Sequence, residues 1–150
     1  MHRALSEHRP VVRAQWEKLL RLDRGSSALA RPDALVYLLD TTLDELYAIL
    51  PAWSQRRHPS HMAGPACPCG RSPFLAYFAT GRQALHEGLV TVQARMPALT
   101  AQARDDALAC LDQAFLHLAR REIEAFCSVC QFHPGPARRG ERDAPLTAGS

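Results

Sequence analysis

Apolar residues recur at three- and four-residue intervals along most of the chain, and nowhere do they alternate with polar ones over the length of a strand. That spacing predicts helices and no sheet. The first stripe is Val12, Trp16, Leu19 and Leu20. It predicts a helix over 10–23, with Pro10 in the first turn, a short helical turn ahead of it, and Gly25 as the stop. The second stripe is Leu35, Leu39, Leu43, Leu46 and Leu50, widened by Val36, Leu38 and Ile49. It predicts a helix over 32–50. Pro32 suits its first position, Asp33 suits the positive end of its dipole, and Pro51 is expected to end it.

A third helix is predicted over 72–96. Ser72 is its N-cap, Pro73 its first residue, and Phe74, Tyr77, Phe78, Leu85, Leu89, Val92 and Met96 its stripe. Gly81 and Gly88 lie on or beside that stripe, seven apart. Each costs roughly 1 kcal/mol in a helix interior, so the pair predicts a close helix crossing. A fourth helix, capped by Thr100, is predicted over 101–130, with Leu108, Leu111, Phe115, Leu118, Phe126 and Val129 on its stripe. Thirty residues would span about 45 Å. The expected fold is all-α: a four-helix bundle or a globin-like helical domain, with a long cysteine-containing loop between the second and third helices. Residues 1–133 form one domain, and 134–150, rich in Pro, Gly, Arg and Ala, read as a disordered tail.

At 150 residues and 47% hydrophobic content, the chain has enough apolar surface for a core of its own. A metal is not needed to make up for small size. The net charge of +3 and pI of about 8.8 fall short of a dedicated nucleic-acid binder. Arg56-Arg57-His58 and Arg138-Arg139 lack interleaved aromatics, and no nucleic-acid partner is expected. The charged N-terminus carries no signal-peptide core and no apolar run nears the ~20 residues of a membrane span, so a cytoplasmic location and no membrane are expected. In that compartment cysteines serve as thiolates or metal ligands rather than structural disulfides.

The chemistry lies in the cysteines. Four of the five form two tight pairs, Cys67-Pro68-Cys69 and Cys127-Ser128-Val129-Cys130. If the third and fourth helices make a hairpin about the turn 97–100, Pro68 mirrors Val129 and the two pairs meet. Such a meeting completes a four-thiolate shell suited to zinc, or alternatively to an iron–sulfur cluster. It would also hold the loop over 52–71, which is otherwise long. Gly70 lets the chain turn beneath the metal. His61, six before Cys67, and His133, three after Cys130, are further candidate ligands or hydrogen-bond partners of sulfur, set against the simpler reading of exposed histidines. His86 and His117 sit on helix flanks and read as boundary residues, and Cys110 reads as core. No phosphate loop, nucleophile elbow, His-Glu-x-x-His or Glu-x-x-His occurs, so the chain is expected to be non-enzymatic.

Cys67, Cys69, Cys127 and Cys130 match, in order and in pair spacing, the Cys-x-Cys then Cys-x-x-Cys zinc motif of redox-switch holdase chaperones. That resemblance implies thiol–zinc redox chemistry. It covers these four residues, with a longer separation between pairs, and does not extend to the chaperone fold. The run from Arg9 to Leu50, with Trp16-Glu17-Lys18-Leu19-Leu20-Arg21 and Leu35-Val36-Tyr37-Leu38-Leu39-Asp40, resembles the globin-like helical sensory domains of stressosome-type regulators and histidine kinases. That likeness implies a homodimer, and exposed aromatics such as Trp16 and Trp53 are expected to contribute to a partner surface. The expected function is redox or metal-dependent sensing. An iron–sulfur redox protein serving electron transfer or an enzyme partner, and an adaptor with structural zinc, are the alternatives.

Overall fold

The apolar stripes fold against one another in a computed structural model that describes residues 2–23, 31–54 and 64–131. Among the described residues the regular elements are α1 (His2–Glu7), α2 (Arg9–Leu22), α3 (Pro32–Leu35), a 3-10 turn (Val36–Leu38), α4 (Leu39–Trp53), α5 (Pro73–Ala94) and α6 (Ala101–Val129). Helix α2 packs on α5, α5 on α6, α6 on α4 and α4 on α2, and α1 lies against α4 and α5. Four helices therefore close a ring around one core, an all-α bundle of the expected class.

Trp16 sits at the centre of that ring with no exposed surface. Its indole N–H donates to the Tyr77 carbonyl at 3.0 Å, which satisfies the one polar group it brings inside. Its ring packs on Tyr77 at 4.7 Å and edge-on to Phe115 at 5.6 Å. The two glycines of α5 make room for α2. A Cβ at Gly81 would overlap the Trp16 ring and stand 2.7 Å from Phe115 Cζ, and one at Gly88 would stand 2.5 Å from Val12 Cγ2. The seven-residue spacing thus marks where α2 crosses closest. Burial of Trp16 also corrects an expectation: this aromatic is core and contributes nothing to a partner surface.

Helix ends follow local chemistry where the sequence supplies it. Ser72 Oγ accepts the N–H of Phe74 ahead of Pro73, and Thr100 Oγ1 accepts the N–H of Ala103. Two boundaries differ from expectation. The helix expected over 32–50 is broken by the 3-10 turn at Val36–Leu38, which leaves Leu35 and Leu39 buried but Tyr37 83% exposed. No Gly, Pro or capping residue marks that break in the sequence. Helix α4 also continues through Pro51 to Trp53. Proline so near a C-terminus removes one backbone bond, and Ser54 closes the turn by donating its N–H to Leu50 O and its hydroxyl to Pro51 O. At the far end of α6, Val129 is exposed, while Ile123 takes a core position instead.

Ion pairs tie the helices from outside. Arg9 and Arg13 of α2 bind Asp40, and Arg9 also binds Asp44, both on α4. Arg121 of α6 pairs with Glu45 of α4. Between α5 and α6, Arg82 grips both oxygens of Asp112 at 2.8 and 2.7 Å, and His86 Nε2 meets Asp112 Oδ1 at 2.5 Å. None of the described helices is long and apolar enough to cross a membrane.

Candidate metal centre

The α5–α6 hairpin carries the cysteines to one place. The pairs Gln93–Arg104, Arg82–Asp112 and Phe74–Phe126 climb in register away from the turn. Continued past the start of α5, that ladder reaches Cys69 and Cys130, whose sulfurs are 3.7 Å apart. Helix α6 has 29 residues against 22 in α5, so its last turns overhang, and the chain entering α5 folds across them.

Each pair has its own local cause. Residues 67–70 form a turn in which Gly70 N–H donates to Cys67 O at 2.9 Å. Pro68 presets the backbone there and Gly70 adopts φ +65°. The turn brings Cys67 and Cys69 sulfurs to 3.3 Å. Cys127 lies in the last turn of α6 and Cys130 is its C-cap, with Cys130 N–H donating to Cys127 O at 3.3 Å. Three residues apart at a helix end, the two side chains share a face.

The free thiols gather in a string: Cys67 Sγ lies 3.3 Å from Cys69 Sγ and Cys69 Sγ 3.7 Å from Cys130 Sγ, with Cys127 close enough to Cys67 to shift its ionisation. All four residues are half-buried, whereas Cys110 is buried in the core 8% exposed, where burial pushes its thiol up. Beside the string lies an open groove lined by Ala66, Pro68, Glu124, Cys127, Ser128 and Cys130, so solvent reaches at least two of the thiols.

Electrostatics single out Cys67. Burial opposes its ionisation, but donation from the Cys69 and Cys127 thiols and from the backbone N–H groups of Ser72 and Arg71 outweighs it, and the thiol falls to about 6. The positive end of the α5 dipole lies on the same side. The other thiols respond to that charge. Cys127 rises to about 11 through burial and through donating its proton to Cys67. At Cys69 the Arg71 N–H favours the thiolate, yet donation to Cys67, burial and Cys130 together raise it. The four thiols are therefore coupled, with ionisation favoured at Cys67 and opposed at Cys69 and Cys127.

Four thiolates around zinc at about 2.3 Å would stand about 3.8 Å apart. The Cys69–Cys130 separation already fits, and Cys67–Cys69 would have to open by about 0.5 Å. Among the described residues no group of three or more His, Cys, Asp or Glu side chains is already set in the arrangement that holds a metal ion. The sulfurs are gathered as hydrogen-bonded thiols, and closing the string into a shell requires their protons to leave. His61 and His133 lie outside the described residues, as do Arg56-Arg57-His58 and 134–150. The Arg71 and Ser72 N–H donors are contributors that side-chain spacing does not reveal. Ser72 was legible only as the cap of α5. Comparison of the chain with protein-family models, curated proteins and solved structures finds no match.

Proposed function

We propose that Cys67, Cys69, Cys127 and Cys130 bind one zinc ion and that the protein acts as a non-enzymatic, thiol-based sensor or regulator. The observation that carries this reading is the string of four half-buried sulfurs from two distant segments, with separations of 3.3 and 3.7 Å where the contacts are closest. Such spacing favours a single ion over an iron–sulfur cluster, whose thiolates are spread over several irons. Exposure favours sensing over a sealed structural site. Peroxide can take two electrons from a pair of thiolates to form one S–S bond, its two oxygens leaving as two waters with two protons taken from solvent, and the metal is released.

Elemental analysis of the full chain, with titration of the four thiols before and after mild peroxide, tests both parts. The expected result is one zinc per chain, released as disulfides form and rebound on reduction. Zinc that survives oxidant concentrations sufficient for ordinary exposed thiols would leave the structural-adaptor reading. Iron with inorganic sulfide would replace zinc by a cluster.

A further inference from the structure

The opposite end of the bundle holds a second feature that the cysteines do not explain. Where α1, the end of α4, the last turns of α5 and the start of α6 meet, the packing leaves a cavity of about 280 Å³. Its walls are leucines from separate segments: Leu5, Leu50, Leu89, Leu99 and Leu111. Polar lining residues are few: Asp106, Ser54 and Cys110, of which only Asp106 carries a formal charge. Asp106 receives one hydrogen bond, from Gln102 Nε2 at 2.8 Å, on Oδ1. Asp106 is an exposed residue of the cavity's rim, while Leu5, Leu50, Leu89 and Leu111 are buried. From Phe74, beside the cysteines, to Leu89 is on the order of 20 Å along α5.

A pocket of this size that opens to solvent leaves apolar wall atoms facing water, a cost that an apolar ligand covering them would remove. An apolar chamber with a small number of convergent polar groups is the ordinary build of a small-molecule site. A cavity of ~150 Å³ takes one benzene ring, so this one has room for roughly ten heavy atoms. Its single formal charge is negative and sits at the entrance. We propose that this cavity is a binding site for a small apolar amine, with the hydrocarbon body among the leucines and the ammonium group on Asp106. A carboxylate ligand would place like charges together, and an alcohol would leave the charge of Asp106 unused.

The test uses the full chain with three probes of equal length: heptylamine, heptanol and heptanoate. Backbone NMR shifts and the rise in thermal midpoint with ligand concentration report binding. Heptylamine is expected to shift Leu89, Ala107 and Leu111 and to bind about tenfold more tightly than heptanol, with heptanoate weaker than both. Asp106→Asn, a change at an exposed position, should bring heptylamine down to the heptanol value while heptanol itself is unchanged. Ala107→Trp, which fills the chamber, should abolish all three. Cys69→Ser should leave heptylamine binding intact, which separates this site from the metal centre. Equal binding of the three probes would reduce the cavity to a non-selective apolar void and overturn the proposal. So would heptylamine shifts that persist in Ala107→Trp, or the absence of any shift at Leu89 and Leu111.

Discussion

At the scale of single residues, Cys67 is where the chemistry of the cluster begins. It is the thiol with the most donors aimed at it, two from side chains and two from the backbone. Its folded value of about 6 lies below the ordinary thiol range, so its thiolate population rises as pH climbs through about 6 and is lost below it. Cys127, raised to about 11, remains protonated across that range. In metal-free, reduced protein, iodoacetamide at pH 7 should label Cys67 first and Cys127 far more slowly, as read by mass spectrometry of timed digests. Equal labelling of the two would remove the hydrogen-bonded string. Loading zinc should protect all four. The cysteine pairs and Gly70 were legible because spacing and residue type suffice to name them. The order of the string and the backbone donors were not, since both depend on where the α5 N-terminus points. Gly81 is the second residue on which much rests. Alanine there is favoured by up to ~1 kcal/mol on helix propensity, yet its Cβ must displace Trp16 and Phe115 from a packed centre. A net loss of about 1–3 kcal/mol is expected from urea unfolding. A Gly81→Ala variant as stable as wild type would show that the ring can move.

At the scale of elements, the register of the α5–α6 hairpin sets the cysteine cluster. Asp112 is its central rivet. Burial alone would raise this carboxyl, but hydrogen bonds from His86 and Arg82 hold it well below the usual carboxylate range. A depressed acid stabilises the folded state above its unfolded value near 4 and loses that contribution as pH falls through its lower folded value. Wild type should therefore lose stability on acidification below about pH 4. Asp112→Asn should be less stable at neutral pH, by about 1–2 kcal/mol, and should show a flatter acid limb. Identical pH profiles for the two proteins would mean that Asp112 is not held as the structure places it. The hairpin was readable from sequence because Ser72-Pro73 and Thr100 announce two helix starts and the turn at 97–100 fixes the mirror point. The segment 32–53 was less so. An almost unbroken apolar run at Leu35–Leu39 does not distinguish α-helix from a tighter turn, and a proline in the last turn is tolerated where the final backbone bonds can be replaced.

At the scale of the whole molecule, the four-cysteine cluster and the core occupy separate places, and that separation decides what loss of a bound metal would do. The ring of α2, α5, α6 and α4 closes on Trp16, Tyr77, Phe115 and the leucines of α4, all fully or nearly fully buried. Cys67 and Cys127 touch the edge of this core, while the sulfur string lies beyond the first turn of α5. Side chains of that size contribute about 1.5–3 kcal/mol each when buried, so the bundle does not depend on four thiolates for its existence. Local stability is another matter. The 64–72 segment has no regular element of its own and meets α6 at Cys69–Cys130. A chelator, or Cys69→Ser, should therefore leave the helical circular dichroism and the main thermal transition in place. It should also speed amide exchange in 64–72 and in 126–130 by tenfold or more, with the centre of α5 unaffected. Collapse of the main transition on chelation would make the metal the keystone of the fold. Unchanged exchange in both segments would show that no ion closes the string, and the sulfurs would then be a hydrogen-bonded thiol cluster whose chemistry is redox alone.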